Sequence, residues 1–501
     1  MKNRVQLVAY ADRLGGTLPG LRELLEGPFA GLFGGVHVLP FFEPIDGADA
    51  GFDPIDHGQV DARLGSWSDV AALARATDVM ADVIVNHVSS RSPQFLDFVA
   101  QGTRSRHAGM FLTFDRVFPG GATAEELLTI YRPRPGLPFT SVSLADGSRR
   151  LLWTTFTAEQ VDIDVSHARG VEYLESILGT LAANGVTMVR LDAVGYAVKK
   201  RGTSCFMLDE TFEFIRSFAE RAKRHGLEVL VEVHSHYRKQ IEIAAAVDWV
   251  YDFALPPLVL HAFVSGDAGA LHRWIEVRPR NAVTVLDTHD GIGVIDIAAD
   301  DRDRAGNPGL VSDAELARLV AQIDSNSNGE AARATGAAAA NLDLYQVNCT
   351  FFDALGRDER KYLLARAIQF FLPGVPQVYY VGLLAGGNDM ELLARTRVGR
   401  DINRHYYSGA EVERALARPV VRRLLELIRL RNTHAAFQGT FEAAKSAADS
   451  LDLRWRRGGE HARLQVDLRT CAHRLEYSRA GRVEHLELGV GEGRSVERRA
   501  R

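Results

Sequence analysis

Three carboxylates follow apolar segments of the chain in a pattern that suits acid–base chemistry. Asp192 ends "VTMVRLD", Glu232 lies in "LEVLVEVH", and Asp290 ends "AVTVLDTHD". A retaining enzyme that transfers a glycosyl unit needs a carboxylate nucleophile and a carboxyl acid/base about 5 to 5.5 Å apart. We therefore interpret Asp192 as a candidate nucleophile, Glu232 as the acid/base and Asp290 as a stabiliser of an oxocarbenium-like transition state.

Arg190 precedes Asp192 by two residues, so in a strand both side chains point to the same face. Burying such a pair costs several kcal/mol per ion before their mutual attraction is counted. A functional reason for that cost is that Arg190 favours the ionised form of Asp192. The apolar run around Glu232 favours, by contrast, a carboxyl that keeps its proton.

Eight short, nearly continuous apolar runs must position these residues. Such runs are typical of parallel strands that are covered on both faces. Segments long enough for helices separate them, for example residues 209–226, which end at Gly226. The runs span residues 5–10, 35–41, 81–87, 185–192, 227–234, 249–255, 282–290 and 374–381. This alternation predicts an α/β fold, a (β/α)8 TIM barrel whose active site lies at the carboxyl ends of the strands.

Polar residues follow four of these runs, always at the carboxyl side. Ionisable groups at one or two strand ends are ordinary capping or solvent-exposed positions. The same pattern on four strands is better explained by convergence on one pocket. The residues are Asn86 and His87, Arg190 and Asp192, Glu232 and His234, and Asp287, His289 and Asp290.

Two of the segments between consecutive predicted strands are too long for plain βα units. Residues 88–168 and 292–357 are expected to form inserted lid domains, B and B′, over the barrel mouth. After them, short alternating segments predict a small C-terminal all-β domain over residues 436–501. The barrel itself would comprise residues 1–87, 169–291 and 358–435.

Composition excludes several classes of protein. The 501 residues carry a formal net charge of −5, which argues against a nucleic-acid-binding surface. The three cysteines, Cys205, Cys349 and Cys471, are far apart and form no CxxC pair, as expected in the cytoplasm and not in a structural zinc site. The uncharged stretch 367–388 is interrupted by prolines and glycines, so we predict a buried helix, a turn and a strand there and no membrane span.

Three carboxylates with histidines could also ligate a divalent metal, as in barrel enzymes of the enolase or isomerase type. Such sites usually include a lysine or histidine base, and no lysine ends any of the eight runs. The metal alternative is weakened by this but stays open.

Several motifs resemble the conserved regions of the α-amylase-type glycoside hydrolase family. They are "DAGFDPIDH" (49–57), "DVIVNH" (82–87), "VRLDAVGY" (189–196), "LVEVHS" (230–235) and "VTVLDTHDG" (283–291). Further stretches are similar to the branch of that family that phosphorolyses sucrose: "YRPRPGLPF" (131–139), "ATGAAAANLDLYQVN" (334–348), "FFLPGVPQVYYVG" (370–382) and "VGRDINRHYY" (398–407). The similarity runs from residue 1 to about residue 435, and the C-terminal domain carries no strong motif.

The resemblance implies the same roles for Asp192, Glu232 and Asp290. It also implies a site for the glucosyl unit formed by Asp49, Phe52, His87, Phe156, Arg190, His289 and Arg400, in which the phenylalanines form an apolar wall. The acceptor and phosphate site would comprise Arg134, Tyr196, His234, Leu342, Asp343, Leu344, Tyr345 and Gln346. Movement of the loop from Leu342 to Gln346 would let one site take fructose and then phosphate.

The resemblance implies transfer of the glucosyl unit of sucrose to inorganic phosphate with retention. The products would be α-D-glucose 1-phosphate and fructose, formed through a covalent glucosyl–Asp192 ester. We expect no cofactor and no metal, although many members of the wider family bind calcium through an asparagine placed like Asn86. A homodimer is plausible from the resemblance alone, and neither nucleic acid nor a membrane is expected as a partner.

Three other functions are compatible with parts of this pattern. A sibling phosphorylase could act on glucosylglycerol, glucosylglycerate or sucrose 6′-phosphate through a different acceptor loop. An α-glucosidase or transglucosidase would release glucose or transfer it to another sugar in place of phosphate. A non-catalytic ectodomain of a transporter is disfavoured, because such domains have lost the carboxylates that are present here.

Overall fold

The computed structural model describes residues 1–47, 49–132, 136–300, 303–337 and 346–489. Eight parallel strands close into a barrel in which each strand pairs with its neighbours in sequence, and β8 closes the ring against β1. The strands are β1 (Gln6–Ala9), β2 (Gly35–Val38), β3 (Asp78–Ile84), β4 (Met188–Asp192), β5 (Glu228–Val231), β6 (Trp249–Asp252), β7 (Ala282–Thr284) and β8 (Val375–Tyr379). All eight runs predicted as strands are strands of this barrel, so the predicted fold class is confirmed.

The outer layer of the barrel consists of helices whose apolar faces cover the strands. The helix Asp209–Arg224 shows how its sequence sets its position: Phe212, Ile215 and Phe218 recur every three residues and are buried, while Gly226 beyond its end adopts a φ of 76°. The other large helices are Leu18–Glu26, Trp67–Ala76, Ala168–Ala183, Tyr237–Ala244, Leu255–Ser265, Gly269–Val277, Glu359–Phe371 and Pro419–Thr433.

Alternation along β4 separates apolar from polar side chains. Val189 and Leu191 point outward into the main hydrophobic core beneath the helices, whereas Met188 belongs to a second apolar cluster inside the barrel. Arg190 and Asp192 continue the inward row that begins with Met188. The strand therefore carries its charged side chains up the barrel axis to the carboxyl end.

Residues 88–168 contain short helices and two strand pairs. The helices are Pro93–Gln101, Phe114–Val117 and Ala124–Thr129, and the strand pairs are Phe139–Ser143 with Arg149–Trp153 and His87–Ser89 with Gln160–Asp162. Residues 292–357 contain the helices Asp313–Asn326, Glu330–Ala337 and Phe351–Ala354 and the pair Ile292–Gly293 with Gln346–Val347. The division into lid domains at these bounds stays a prediction.

Smaller elements lie in the loops between the barrel strands and in the segment after β8. They are the strand pair Phe42–Glu43 with Asp56–Val60, the helices Tyr380–Leu383, Met390–Thr396 and Gly409–Ala417, and the 3-10 turns Gly102–Arg104, Ala108–Met110, Val194–Tyr196, Ile295–Ile297, Gly399–Asn403 and Ala435–Gln438.

A five-stranded antiparallel sheet follows the barrel. Its strands are β9 (Thr440–Ala443), β10 (Ser450–Arg457), β11 (Glu460–Asp467), β12 (His473–Arg479) and β13 (Arg482–His485). Sequence patterns predict the last four, while β9 is short and mostly exposed and has no strong alternation. Among the described residues, no helix combines the length and apolar character needed to cross a bilayer.

Candidate active site

Arg190 lies at the centre of the carboxyl end of the barrel and contacts three carboxylates. Its Nη1 is 2.5 Å from Asp82 Oδ1 and 3.3 Å from Asp192 Oδ1, and its Nη2 is 2.9 Å from Glu232 Oε1. Asp82 Oδ2 in turn lies 3.0 Å from His37 Nε2. The buried charge that the sequence placed on β4 is therefore compensated by carboxylates from β3 and from the residue that follows β5.

Two opposing effects act on the Asp192 carboxyl. Burial raises its pKa well above the ordinary value, Arg190 opposes this, and the nearby Glu232 and Asp82 carboxylates add to the rise. Arg190 acts on the pKa of Asp192 in the direction expected from the sequence, but burial, which that expectation left out, has the larger effect. The setting of Glu232 also differs from the apolar one that its sequence neighbours predict, because Arg190 reaches it from β4.

The backbone turns sharply immediately after Asp192. Ala193 has a φ of 54°, in the left-handed region that costs a residue with a Cβ about 1 kcal/mol. The turn leads directly into the 3-10 turn Val194–Tyr196 and places both Asp192 and Tyr196 on the wall of one cavity. Local strain at this position is typical of functional sites, where it aims a side chain.

Asp290 is surrounded by cationic groups. Arg400 Nη1 lies 2.8 Å and Arg404 Nη2 3.7 Å from its Oδ1. Burial raises the pKa of Asp290, but Arg400 and Arg404 outweigh burial and hold that pKa well below its usual range. Asp290 is therefore ionised at neutral pH and suited to face developing positive charge.

Aromatic and imidazole rings also line the cavity. Phe52 stacks on His289 with centroids 4.9 Å apart and an interplanar angle of 11°, and His87 packs against Phe156 at 5.2 Å. The His87 ring is fixed by its Nε2, which lies 3.0 Å from the carbonyl oxygen of Phe52 and from Gln160 Nε2. Burial lowers the pKa of both histidines, so they are neutral and can exchange hydrogen bonds with hydroxyl groups.

Asn86 participates in a buried cation site that a side chain fills. Lys199 Nζ donates to Asn86 Oδ1 at 2.7 Å, lies 2.6 Å from Asp162 Oδ2 and also donates to the carbonyl oxygen of Tyr196. Lys199 and Asp162 are both buried. These three oxygens have the chemistry of a calcium ligand set, and the ammonium group occupies the position that such an ion would need.

Three metal-ligating residue types also meet in the cavity. A ring nitrogen of His234 and carboxylate oxygens of Glu232 and Asp290 lie within 4.8 Å of one another. Each of the three is engaged by a charged partner: Glu232 by Arg190, His234 by Asp296 and Asp290 by Arg400. A metal ion here would compete with two arginines, so the arrangement fits an organic substrate better than a resident metal.

Comparison with known proteins identifies the family. No family model matches the chain. A sucrose phosphorylase from Agrobacterium vitis is 61% identical over 467 residues, which cover 93% of this chain and 95% of that protein. The chain belongs to the sucrose phosphorylase family.

Two further comparisons agree with this membership. A sucrose phosphorylase from Bifidobacterium adolescentis is 57% identical over 457 residues, covering 91% of this chain and 90% of that protein. The crystal structure of sucrose 6F-phosphate phosphorylase from Thermoanaerobacter thermosaccharolyticum superimposes with a TM-score of 0.88 at 37% identity, covering 97% of each chain. The resemblance stated from the motifs is thereby confirmed.

One cavity brings together most of the residues predicted for a sucrose phosphorylase site. Together with its open mouth it encloses about 780 Å³. Arg190 lies beneath its floor, in contact with Asp192 and Glu232. The predicted residues that line the cavity are Asp49, Phe52, His87, Phe156, Asp192, Tyr196, Glu232, His234, His289, Asp290, Gln346 and Arg400. Arg134, Leu342, Asp343, Leu344 and Tyr345 lie outside the described residues.

Two aromatic residues of the cavity were missed by sequence reasoning. Tyr131 stacks on Tyr196 at a centroid distance of 6.1 Å, and Phe206 lies 4.7 Å from both tyrosines. Tyr131 begins the stretch "YRPRPGLPF", so its position next to a family motif was an available signal. Phe206 lies in "GTSCFMLD", where nothing in the local sequence indicates a binding site.

Proposed function

We propose that this protein catalyses the phosphorolysis of sucrose by transferring the glucosyl unit to inorganic phosphate. It would release fructose and α-D-glucose 1-phosphate with retention at the anomeric carbon. The observation that carries the proposal is one cavity in which Asp192, Glu232 and Asp290 meet, in a chain that is 61% identical to a sucrose phosphorylase. The protein is accordingly an enzyme of the hexosyltransferase class.

The first half-reaction forms a glucosyl ester. Asp192 attacks the anomeric carbon of the glucosyl unit, and the bond from that carbon to the fructosyl oxygen breaks. Glu232 gives its proton to the departing oxygen, so fructose leaves neutral. Asp290, ionised by its arginine partners, stabilises the positive charge that develops on the sugar ring.

The second half-reaction returns the enzyme to its starting state. A phosphate oxygen forms a bond to the anomeric carbon on the face opposite Asp192, the ester bond breaks, and Asp192 leaves as a carboxylate. The proton carried by the attacking oxygen returns to Glu232. Two displacements on opposite faces give net retention.

Arg190 connects the two carboxyls that alternate in these steps. Its Nη1 contacts Asp192 and its Nη2 contacts Glu232. When the ester forms, Asp192 loses its charge and Glu232 gains one. A guanidinium shared by both carboxyls stabilises the negative charge in either location.

The remaining roles of the cavity residues are part of the proposal. Asp49, His87, His289 and Arg400 would bind glucosyl hydroxyls, against the apolar wall of Phe52 and Phe156. On the acceptor side we assign Tyr196, His234 and Gln346 to fructose and phosphate, and Arg134 with Leu342, Asp343, Leu344 and Tyr345 to the same site from the resemblance. Charge-assisted hydrogen bonds to hydroxyls and phosphate are strong enough to orient both substrates.

Product analysis tests the proposal directly. The protein is incubated with sucrose, with and without phosphate, and the sugars are identified by chromatography. We expect glucose 1-phosphate and fructose with phosphate, and slow release of glucose without it. Free glucose as the main product in both cases would indicate a glucosidase, and inertness toward sucrose with activity on glucosylglycerol, glucosylglycerate or sucrose 6′-phosphate would indicate a sibling phosphorylase.

Replacing the nucleophile tests the mechanism. Asp192→Asn removes the attacking carboxylate but keeps the shape of the side chain, so we expect glucose 1-phosphate formation to fall at least about 10⁴-fold. An unchanged thermal midpoint shows that the variant is folded. Substantial retained activity in the folded variant would contradict the covalent mechanism.

Location and assembly complete the proposed function. We infer a cytoplasmic location, supported by three cysteines that are all buried and free of disulfides. A homodimer remains a prediction from the resemblance. Size-exclusion chromatography with light scattering distinguishes a dimer from a monomer of 55.1 kDa.

A further inference from the structure

His234 has a buried carboxylate behind it that the proposed mechanism does not use. Its Nδ1 donates to Asp296 Oδ2 at 2.9 Å, and Asp296 is completely buried. Asp296 lies in the 3-10 turn Ile295–Ile297, far in sequence from His234, which follows β5. No motif of the sequence indicates this pair.

The pair is held rigidly from several sides. Asp296 Oδ1 accepts from the backbone N–H of Ser235 at 3.2 Å and from Gln240 Nε2 at 2.8 Å. The imidazole stacks on Phe253 with centroids 3.9 Å apart. A Cβ on Gly293 would lie 2.3 Å from Asp296 Oδ2 and 2.8 Å from His234 Nδ1, so a side chain at that position would displace the pair.

The charges around His234 explain why it would need such a partner. Glu232 is two residues away, and Asp290 faces it from the loop after β7. Both are negative during the second half-reaction, when phosphate must approach. Asp287 also lies near His234, where it is paired with Arg366, while Arg190 and Arg400 are engaged with Glu232 and Asp290.

We propose that Asp296 is a positioning residue that keeps His234 in its charged imidazolium form and aimed at the acceptor side of the cavity, where it recruits phosphate. This rests on the proposed function of the site as a phosphorylase. A carboxylate that accepts from one ring nitrogen fixes the ring orientation and stabilises a proton on the other. Water and neutral acceptors have no charge for the imidazolium to attract, so the pair raises transfer to phosphate above hydrolysis.

The direction of the His234 titration agrees with this geometry. Burial lowers the pKa of His234, but Asp296, with Glu232 and Asp290, outweighs burial and raises that pKa above its ordinary value. A raised pKa extends the imidazolium form to higher pH. Phosphate recruitment is then present at low pH and is lost as pH rises through the raised pKa. We therefore predict that kcat/KM for phosphate falls at high pH (the basic limb of its pH profile), whereas hydrolysis does not show this fall.

The test compares phosphorolysis with hydrolysis of sucrose in the wild type and in Asp296→Asn. In the variant we expect kcat/KM for phosphate to fall about tenfold, because the imidazolium loses the carboxylate that accepts its charged hydrogen bond, while hydrolysis without phosphate falls by much less. The basic limb of kcat/KM for phosphate should move to lower pH in the variant. Because both proteins are titrated with the same phosphate solutions, the ionisation of phosphate itself cancels in the comparison.

Two further variants separate charge from structure. Gln240→Met removes a hydrogen bond to Asp296 but leaves the charge of Asp296 in place. We therefore expect this variant to keep the wild-type basic limb of kcat/KM for phosphate. In the background of His234→Gln, adding Asp296→Asn should cause little further loss toward phosphate. Equal losses of phosphorolysis and hydrolysis in Asp296→Asn, or an unmoved basic limb, would overturn the inference, whereas a wild type that forms no glucose 1-phosphate would overturn the proposed function itself.

Discussion

Arg190 is the residue on which the charge balance of the site depends. It is 2% exposed and contacts Asp82, Asp192 and Glu232. Replacing it with leucine would leave three carboxylates in or near the barrel interior without their common cation. Removing one partner of a buried ion pair costs about 3 to 5 kcal/mol, because the remaining charge stays unpaired.

We therefore predict that Arg190→Leu lowers the free energy of unfolding by about 3 to 5 kcal/mol and abolishes activity. Urea denaturation measures the first effect. Arg169→Leu is a matched control, since Arg169 is half exposed and pairs with the exposed Glu172, a kind of pair worth at most about 1 kcal/mol. An Arg190→Leu protein as stable as the control would contradict the role assigned to the guanidinium.

Asp82 makes the stability of the folded protein depend on pH in the acidic range. Burial raises the pKa of Asp82, but His37 and Arg190 outweigh burial and lower that pKa to about 2. A folded pKa below the unfolded value means that the stabilisation is complete above pH ~4 and is lost as the pH falls toward 2. We predict that Asp82 contributes about 2 kcal/mol of stability at neutral pH that disappears over this range.

The measurement is the urea midpoint between pH 5 and pH 2 for the wild type and for Asp82→Asn. The variant should be less stable at pH 5 and should lose less stability on acidification. Asp78→Asn, at the start of the same strand and in contact with the exposed Lys2, should retain the slope of the wild type. Parallel curves for wild type and Asp82→Asn would show that Asp82 is not the titrating group.

At the scale of elements, Lys199 joins three segments around the cavity. It contacts Asn86 after β3, Asp162 in the strand Gln160–Asp162, and the carbonyl oxygen of Tyr196 at the end of the 3-10 turn after β4. Asn86 adjoins His87, which we assign to glucosyl binding, and Tyr196 is itself assigned to the acceptor side. One ammonium group therefore links the strand Gln160–Asp162 to the two loops that follow β3 and β4.

We predict that Lys199→Met lowers the thermal midpoint and raises KM for sucrose, because Asp162 loses its cation and the three segments separate. The neighbouring Lys200 is exposed and pairs with Glu210 at the surface, so Lys200→Met should change neither quantity. We also expect the wild type to keep full activity after dialysis against a chelator and to gain none from calcium. Loss of activity in the chelator, restored by a divalent cation, would contradict an internal ammonium at this site.

At the scale of the whole molecule, the C-terminal sheet packs near the amino ends of the barrel strands, away from the cavity. Trp455 Nε1 donates to the carbonyl oxygen of Phe371, just before β8, and Asn3, just before β1, donates to the carbonyl oxygen of Phe437. Phe437 contacts both Phe371 and Trp455 with its ring. The sheet therefore stabilises the barrel without reaching the active site.

We predict that Trp455→Ala destabilises the protein by about 3 to 5 kcal/mol, the usual cost of removing a large buried aromatic side chain, while KM for sucrose stays the same. Thermal unfolding and initial rates below the unfolding temperature measure the two effects. Phe441→Ala, half-buried beside Trp455 at 5.3 Å, should cost less. A change in KM without loss of stability would indicate that the sheet acts on the cavity.

The eight strands and the inward direction of Arg190 and Asp192 could be predicted from sequence because they depend on local patterns. Burial of both faces makes a parallel strand continuously apolar, and the two-residue period assigns each side chain to a face. The meeting of Asp192, Glu232 and Asp290 in one cavity followed from the same reasoning, since the carboxyl ends of all barrel strands meet at one mouth. The family resemblance supplied the other side chains predicted for the cavity that the structure describes, but not Tyr131 and Phe206.

Only the tertiary structure decided which charged groups contact one another. Asp82 reaches Arg190 because β3 and β4 pair in a register that puts them side by side. Asp296 contacts His234, and Lys199 contacts Asp162, across loops. Loops have no regular sequence periodicity from which such contacts could be predicted. The sequence by itself thus determined where charged side chains emerge, whereas their protonation and partners depend on distances across separate segments, and these exist only once the barrel has closed.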